Sequence, residues 1–150
     1  MDRPIAVSAA VARDGMGPSL TRVSRCFAGG VVGGLANSVA VWLAGAIGAT
    51  GMLGVSLAPA FTASWLYPRL VWGGLWGLLF LLPTSSLPTW ARTAVFGLPP
   101  TLVQLFVIFP ANPRASWLGL GLGAVTPVIV LLANWLWAFV AAQWIEAARR

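Results

Sequence analysis

The sequence predicts an all-α, polytopic membrane protein with four transmembrane helices and cytoplasmic N- and C-termini. Three observations point there. Hydrophobic residues make up 59% of the 150 residues and charged residues 8%, whereas a soluble domain carries roughly 25% charge. The few charges cut the chain into four long apolar windows, each close to the ~20 residues that a spanning helix needs. The arginines are also distributed unevenly about those windows, as topology signals are.

The first window, residues 26–48, reads "CFAGGVVGGLANSVAVWLAGAIG" and holds no charge. Ahead of it, residues 1–25 form a basic tail with Arg3, Arg13, Arg22 and Arg25. The tail's apolar stretch "PIAVSAAVA" is short, and no small-residue cleavage site follows a proper core. The first window is therefore expected to act as an uncleaved signal anchor. The second window, residues 65–82, contains Arg69 near its start, and the third, residues 93–109, contains Pro99-Pro100. The fourth, residues 117–145, contains Pro127 and leads into a short C-terminal tail, residues 146–150. The transmembrane domain is thus residues 26–145.

An N-terminus in the cytoplasm puts Arg3, Arg13, Arg22, Arg25, Arg92, Arg149 and Arg150 inside and leaves only Arg69 and Arg114 outside. That positive-inside bias requires an even number of spans. It argues against promoting the apolar segment at residues 49–64 to a span, and Gly51, Gly54 and Pro59 break any long helix there. The segment reads as an apolar loop on the outer surface or as a re-entrant one, which would need protein or water to cover its backbone. Trp65, Tyr67 and Trp117 fall at the outer interface and Trp90 and Trp144 at the inner one, the depth that amphipathic rings favour.

Lipid offers helices little hydrophobic reason to associate, so close packing and polar contacts must hold them together. Gly29/Gly33 and Gly30/Gly34 form two overlapping small-residue strips on the first helix; Gly73/Gly77 repeats the device on the second and Gly119/Gly123 on the fourth. The spacing predicts packing and leaves open whether the partner lies in the same chain. Pro99-Pro100 is expected to kink the third helix and Pro127 to bend the fourth. The intramembrane amides Asn37, Gln104 and Asn134 are available as donors to the freed carbonyls. They read as interhelical hydrogen bonds or as the lining of a polar cavity.

Much chemistry is missing. With no His, one Cys and no Asp or Glu in any window, there is no imidazole base, no metal-ligand set and no carboxylate proton relay. The sequence predicts no enzyme, no metal site and no cofactor. The basic balance, +6 with all nine basic residues Arg, fits membrane topology and not nucleic-acid binding. Glu146 precedes Arg149 and Arg150 by helical spacings, which reads as a solvated helix end.

Arg69 and Arg114 are the informative charges, because all three acidic residues fall in the inner tails. Arg69 either snorkels to the headgroups or, with Arg114, forms a site for an anion or a phosphate headgroup, to which a guanidinium fork is matched.

At "RLVWGGLWGLLFLLP", residues 69–83, and "PTLVQLFVIFP", residues 100–110, the chain resembles a group of small four-helix bacterial inner-membrane proteins of uncharacterised function. The resemblance covers residues 26–145 and implies a multi-pass protein of the bacterial inner membrane. The glycine pairs of the first helix are also loosely similar to those of the small fluoride channels, whose asparagine and threonine signature the later helices lack. The expected role is non-catalytic: an accessory or scaffold subunit, or a lipid-associated oligomer, acting by helix packing. Its partners would be membrane lipids and itself or another membrane subunit. The alternative is a small oligomeric transporter or channel that passes an anionic or amphipathic solute along Arg69.

Overall fold

The structure, a computed structural model, describes residues 19–84 and 86–149, and every regular element among them is helical. The expectations for Arg3, Arg13 and Arg150 lie outside these residues. Four helices dominate. Helix α1 is Leu20–Ala46. Helix α2 is Ala63–Gly77 and runs directly into a 3-10 turn, Leu78–Leu81. Helix α3 is Thr89–Val103, continued by a π-helical segment, Gln104–Ile108. Helix α4 is Thr126–Ala147. Three of them, Leu20–Ala46, Thr89–Ile108 and Thr126–Ala147, are long and apolar enough to cross a membrane.

Several boundaries differ from the sequence reading. Helix α1 begins at Leu20, so Arg22 and Arg25 lie on the helix and not in a preceding tail. The fourth helix begins at Thr126, nine residues after Trp117. Pro127 sits in its first turn, where its missing N–H has no partner to lose, so it starts the helix and does not bend it. Gly119 and Gly123 consequently form no packing strip. They lie in the irregular segment before α4, with φ of 76° and 144°, values that a side chain disfavours.

The helices pack in the order α2, α1, α4, α3, while α2 and α3 make almost no direct contact. The glycines explain the two inner interfaces. One strip of α1 faces α2: a Cβ on Gly30 would lie 2.8 Å from the Gly77 Cα, and one on Gly73 would lie 3.1 Å from the Gly34 Cα. The other strip faces α4, where a Cβ on Gly29 would lie 2.6 Å from Ile145 Cγ1 and one on Gly33 2.9 Å from Trp137 Cδ1. Two strips a residue apart point about 100° apart on a helix, so α1 docks two neighbours at backbone distance. Trp137, buried between them, donates its indole N–H to the Gly30 carbonyl at 3.0 Å. On the far side, Gly97 of α3 lets Trp135 of α4 approach in the same manner.

Successive helices run antiparallel, so Arg22, Arg92, Glu146 and Arg149 gather at one end, here the basic end. Arg22 donates to the Leu81 carbonyl at 3.0 Å. Glu146 pairs with Arg92, whose side chain is 11% exposed, and accepts from Thr89 at 3.4 Å. The solvated helix end expected for Glu146 is therefore corrected: the carboxylate turns inward and ties α4 to α3. Above this pair, Cys26, Phe80, Phe96, Trp137 and Ile145 form the main core.

The opposite, loop end is capped by chain and not by helix. Residues 49–62 make one helical turn, Ala49–Met52, and then an irregular strap, and residues 63 and 64 already belong to α2. The strap folds back beside α1, with Ala58 against Gly45 and the Phe61 ring 5.2 Å from that of Trp42. Ser56 N–H donates to the Leu122 carbonyl at 2.7 Å, and Val55 is buried. This joins the strap to the 3-10 segment Trp117–Leu122.

Candidate ligand cleft at Arg69

The packing order leaves a gap. Because α2 and α3 stand at the edges, a cleft of about 370 Å³ opens between them, with α1 and α4 as its floor. Toward the basic end it closes where Phe80, on the 3-10 turn after α2, meets Phe96 of α3 edge-on at 4.8 Å. Apolar side chains of α2 and α3 make most of the wall, and four polar side chains line it: Arg69, Asn37, Gln104 and Asn134. All four were candidates from the sequence, and the fold brings them to one cavity. Arg114 is not among them. It is exposed in the turn after the π-helical segment, so the fold does not bring the two arginines together in this cleft.

Arg69 is the seventh residue of α2, about 9 Å along the helix at ~1.5 Å per residue. Its side chain does not run out along the helix toward the loop end. It turns across the α1–α2 interface, where Nε donates to Ser38 Oγ at 2.9 Å and Nη2 donates to Asn37 Oδ1 at 2.6 Å. The adjacent pair Asn37-Ser38 on α1 makes this possible, since both face α2 across the Gly34–Gly73 contact. Each acceptor is itself fixed. Ser38 Oγ donates to the Gly34 carbonyl at 2.7 Å, and Asn37 Nδ2 donates to the Ala133 carbonyl of α4 at 2.7 Å. One turn closer to the loop end, the Trp65 ring lies over the guanidinium carbon at 4.7 Å, a cation–π contact.

A guanidinium has five N–H groups, and two of these are used. Nη1 has no acceptor among the described residues, and neither partner of Arg69 carries charge. The positive charge is thus positioned and partly satisfied without being neutralised by any described residue. Asn134 Nδ2 donates to Thr101 Oγ1 at 3.1 Å, which in turn donates to the Gly97 carbonyl at 2.7 Å. Asn37 and Asn134 therefore form interhelical hydrogen bonds, one of the two readings their sequence positions allow, through carbonyl and hydroxyl oxygens that no proline has freed. Gln104 opens the π-helical segment and is half-buried on the cleft wall.

Ser38, Thr101 and the Trp65 contact were not singled out from sequence. Ser38 had one readable signal, its place beside an intramembrane asparagine. No protein-family model matches the chain, and neither does any curated protein or solved structure.

Proposed function

We propose that the protein crosses the bacterial inner membrane four times, with both ends in the cytoplasm, and binds an anionic amphiphile in the cleft at Arg69 without catalysis. The fourth span in this reading is α2 with its 3-10 turn, which lies antiparallel to α1 over almost its whole length. The cytoplasmic side is the basic end, by the arginine count. The bacterial inner membrane follows from the resemblance at residues 69–83 and 100–110.

One observation carries the binding reading: Arg69 is held by two neutral oxygens and lines an otherwise largely apolar cleft. A guanidinium at membrane depth is expensive without a counter-charge, and none lies among the side chains of this cleft. An anionic ligand supplies it. The cleft's volume falls within the roughly 300–1,000 Å³ of small-molecule sites, and its apolar walls suit a hydrocarbon tail. The polar lining is one guanidinium and three amides, groups that orient a ligand through hydrogen bonds. The packing role read from the glycines loses its prompt, because the strips of α1 and α2 face partners within the chain.

The test is a titration of the purified protein, in a neutral maltoside detergent, with dodecyl phosphate. A charge-assisted hydrogen-bonded contact is worth about 1.5–3 kcal/mol, so Arg69→Gln is expected to bind roughly ten- to a hundred-fold more weakly. Equal affinity in the two proteins would refute the assignment.

A further inference from the structure

The cleft opens outward between its two edge helices. Helices α1 and α4 form its floor, Phe80 meets Phe96 beyond it toward the basic end, and the Trp65 ring lies on Arg69 on the loop-end side. The outward opening is the slot between α2 and α3. Its lips are apolar and outward-facing: Trp72 of α2 is 60% exposed, and Val107 and Ile108 of the π-helical segment are 62% and 56% exposed. In a membrane such a slot faces acyl chains, not water.

From this geometry we infer that the occupant is a glycerophospholipid with a net negative headgroup, which enters and leaves sideways through the slot between α2 and α3. The inference rests on the reading of the cleft as an anionic amphiphile site and specifies its ligand and its route. Charge complementarity selects the headgroup, because the N–H groups Arg69 leaves unused suit phosphate oxygens. The cleft's size and shape select the way in. From Pro68 to Trp76 the lining of α2 covers nine residues, about 12 Å of helix, and the cleft's volume of about 370 Å³ suits part of one acyl chain better than two. The second chain stays in the bilayer, and a lateral slot is the opening that allows a molecule to be held while half of it remains outside. Gln104, whose side chain has no hydrogen-bond partner among the described residues, lies on the wall where the glycerol or ester oxygens of such a lipid can accept from it.

The experiment closes the slot. In a Cys26→Ala background, Trp72→Cys and Val107→Cys are joined with a bifunctional maleimide. Exchange of labelled dioleoylphosphatidylglycerol is then followed between the reconstituted protein and phosphatidylcholine vesicles. Joining the lips is expected to slow both release of preloaded lipid and uptake of new lipid by about ten-fold or more, as a blocked gate does. Millimolar inorganic phosphate is expected to displace no lipid. Exchange at the unjoined rate would overturn the lateral route while leaving binding at Arg69 intact. Displacement by inorganic phosphate would overturn the lipid as occupant. If neither phosphatidylglycerol nor dodecyl phosphate bound at all, the site itself would fall, and this inference with it. Should the cysteine pair resist joining, Val107→Trp narrows the same slot; it is expected to slow exchange, and an unchanged rate counts equally against the route.

Discussion

Asn37 stands between Arg69 and Ala133, accepting from the guanidinium at 2.6 Å and donating to the α4 carbonyl at 2.7 Å. A single amide thus ties three helices together and fixes the orientation of the charge in the cleft. Its two ends do opposite work, the amide oxygen accepting and the amide nitrogen donating.

Replacing Asn37 with Leu removes both bonds and leaves Arg69 short of an acceptor in an apolar setting. A loss of about 1–3 kcal/mol is expected from the unsatisfied donor. Adding Arg69→Leu removes the stranded charge, so the double variant should be less destabilised than the two single losses predict together. Equilibrium unfolding in mixed micelles measures the cycle, and simple additivity would show that the two residues do not act as a pair.

At the α1–α2 contact, Gly30→Val is expected to disrupt packing severely, because even a Cβ there would lie 2.8 Å from the Gly77 Cα, which is backbone and has no flexible end to move. Gly51→Ala is the matched control. A Cβ at Gly51 meets nothing within 4 Å and the residue has no positive φ, so the change should be neutral or stabilise by about 0.4–1 kcal/mol. Thermal melting of both variants, read by near-ultraviolet circular dichroism, distinguishes them.

Glu146→Gln should destabilise more than the double change Arg92→Met with Glu146→Met. The single variant leaves a buried guanidinium without its carboxylate, and breaking such a pair from one side costs more than replacing both sides. The loss should be about 1–3 kcal/mol, the cost of leaving a buried donor unsatisfied, and should appear as easier separation of α3 from α4 in hydrogen exchange.

Ser116 holds φ 60° and ψ −173°, a region suited to glycine. Its side chain is exposed, so Ser116→Gly should relieve strain and stabilise by about 1 kcal/mol. A melting point that fell would indicate that the hydroxyl has a contact of its own.

The helices were legible because lipid imposes a simple rule: apolar runs between charges. Residues 65–82 and 93–109 lie close to α2 and α3 for that reason. The error at residues 117–125 came from the same rule, since hydropathy does not register backbone geometry and "GLGLG" is as apolar as a helix. Its glycines are needed there for close approach and for positive φ, as at Gly123 against Val55. Glycine spacing revealed that α1 has two docking faces but not which helix meets each. The polar residues of the cleft were legible singly, because a charge or amide in an apolar run stands out. Their convergence was not, since it depends on the α2, α1, α4, α3 order, which no local pattern encodes. Arg114 shows the converse: its charge stood out equally, and the fold leaves it at the surface.

Arg69 carries a positive charge that no described residue neutralises, and the proposed function assigns its counter-charge to a bound anion. Native mass spectrometry of the protein extracted with its own lipid, wild type beside Arg69→Gln, tests this most directly. A single anionic phospholipid retained by the wild type and lost from the variant is the expected result; equal retention by both, or only neutral lipid on the wild type, would contradict it.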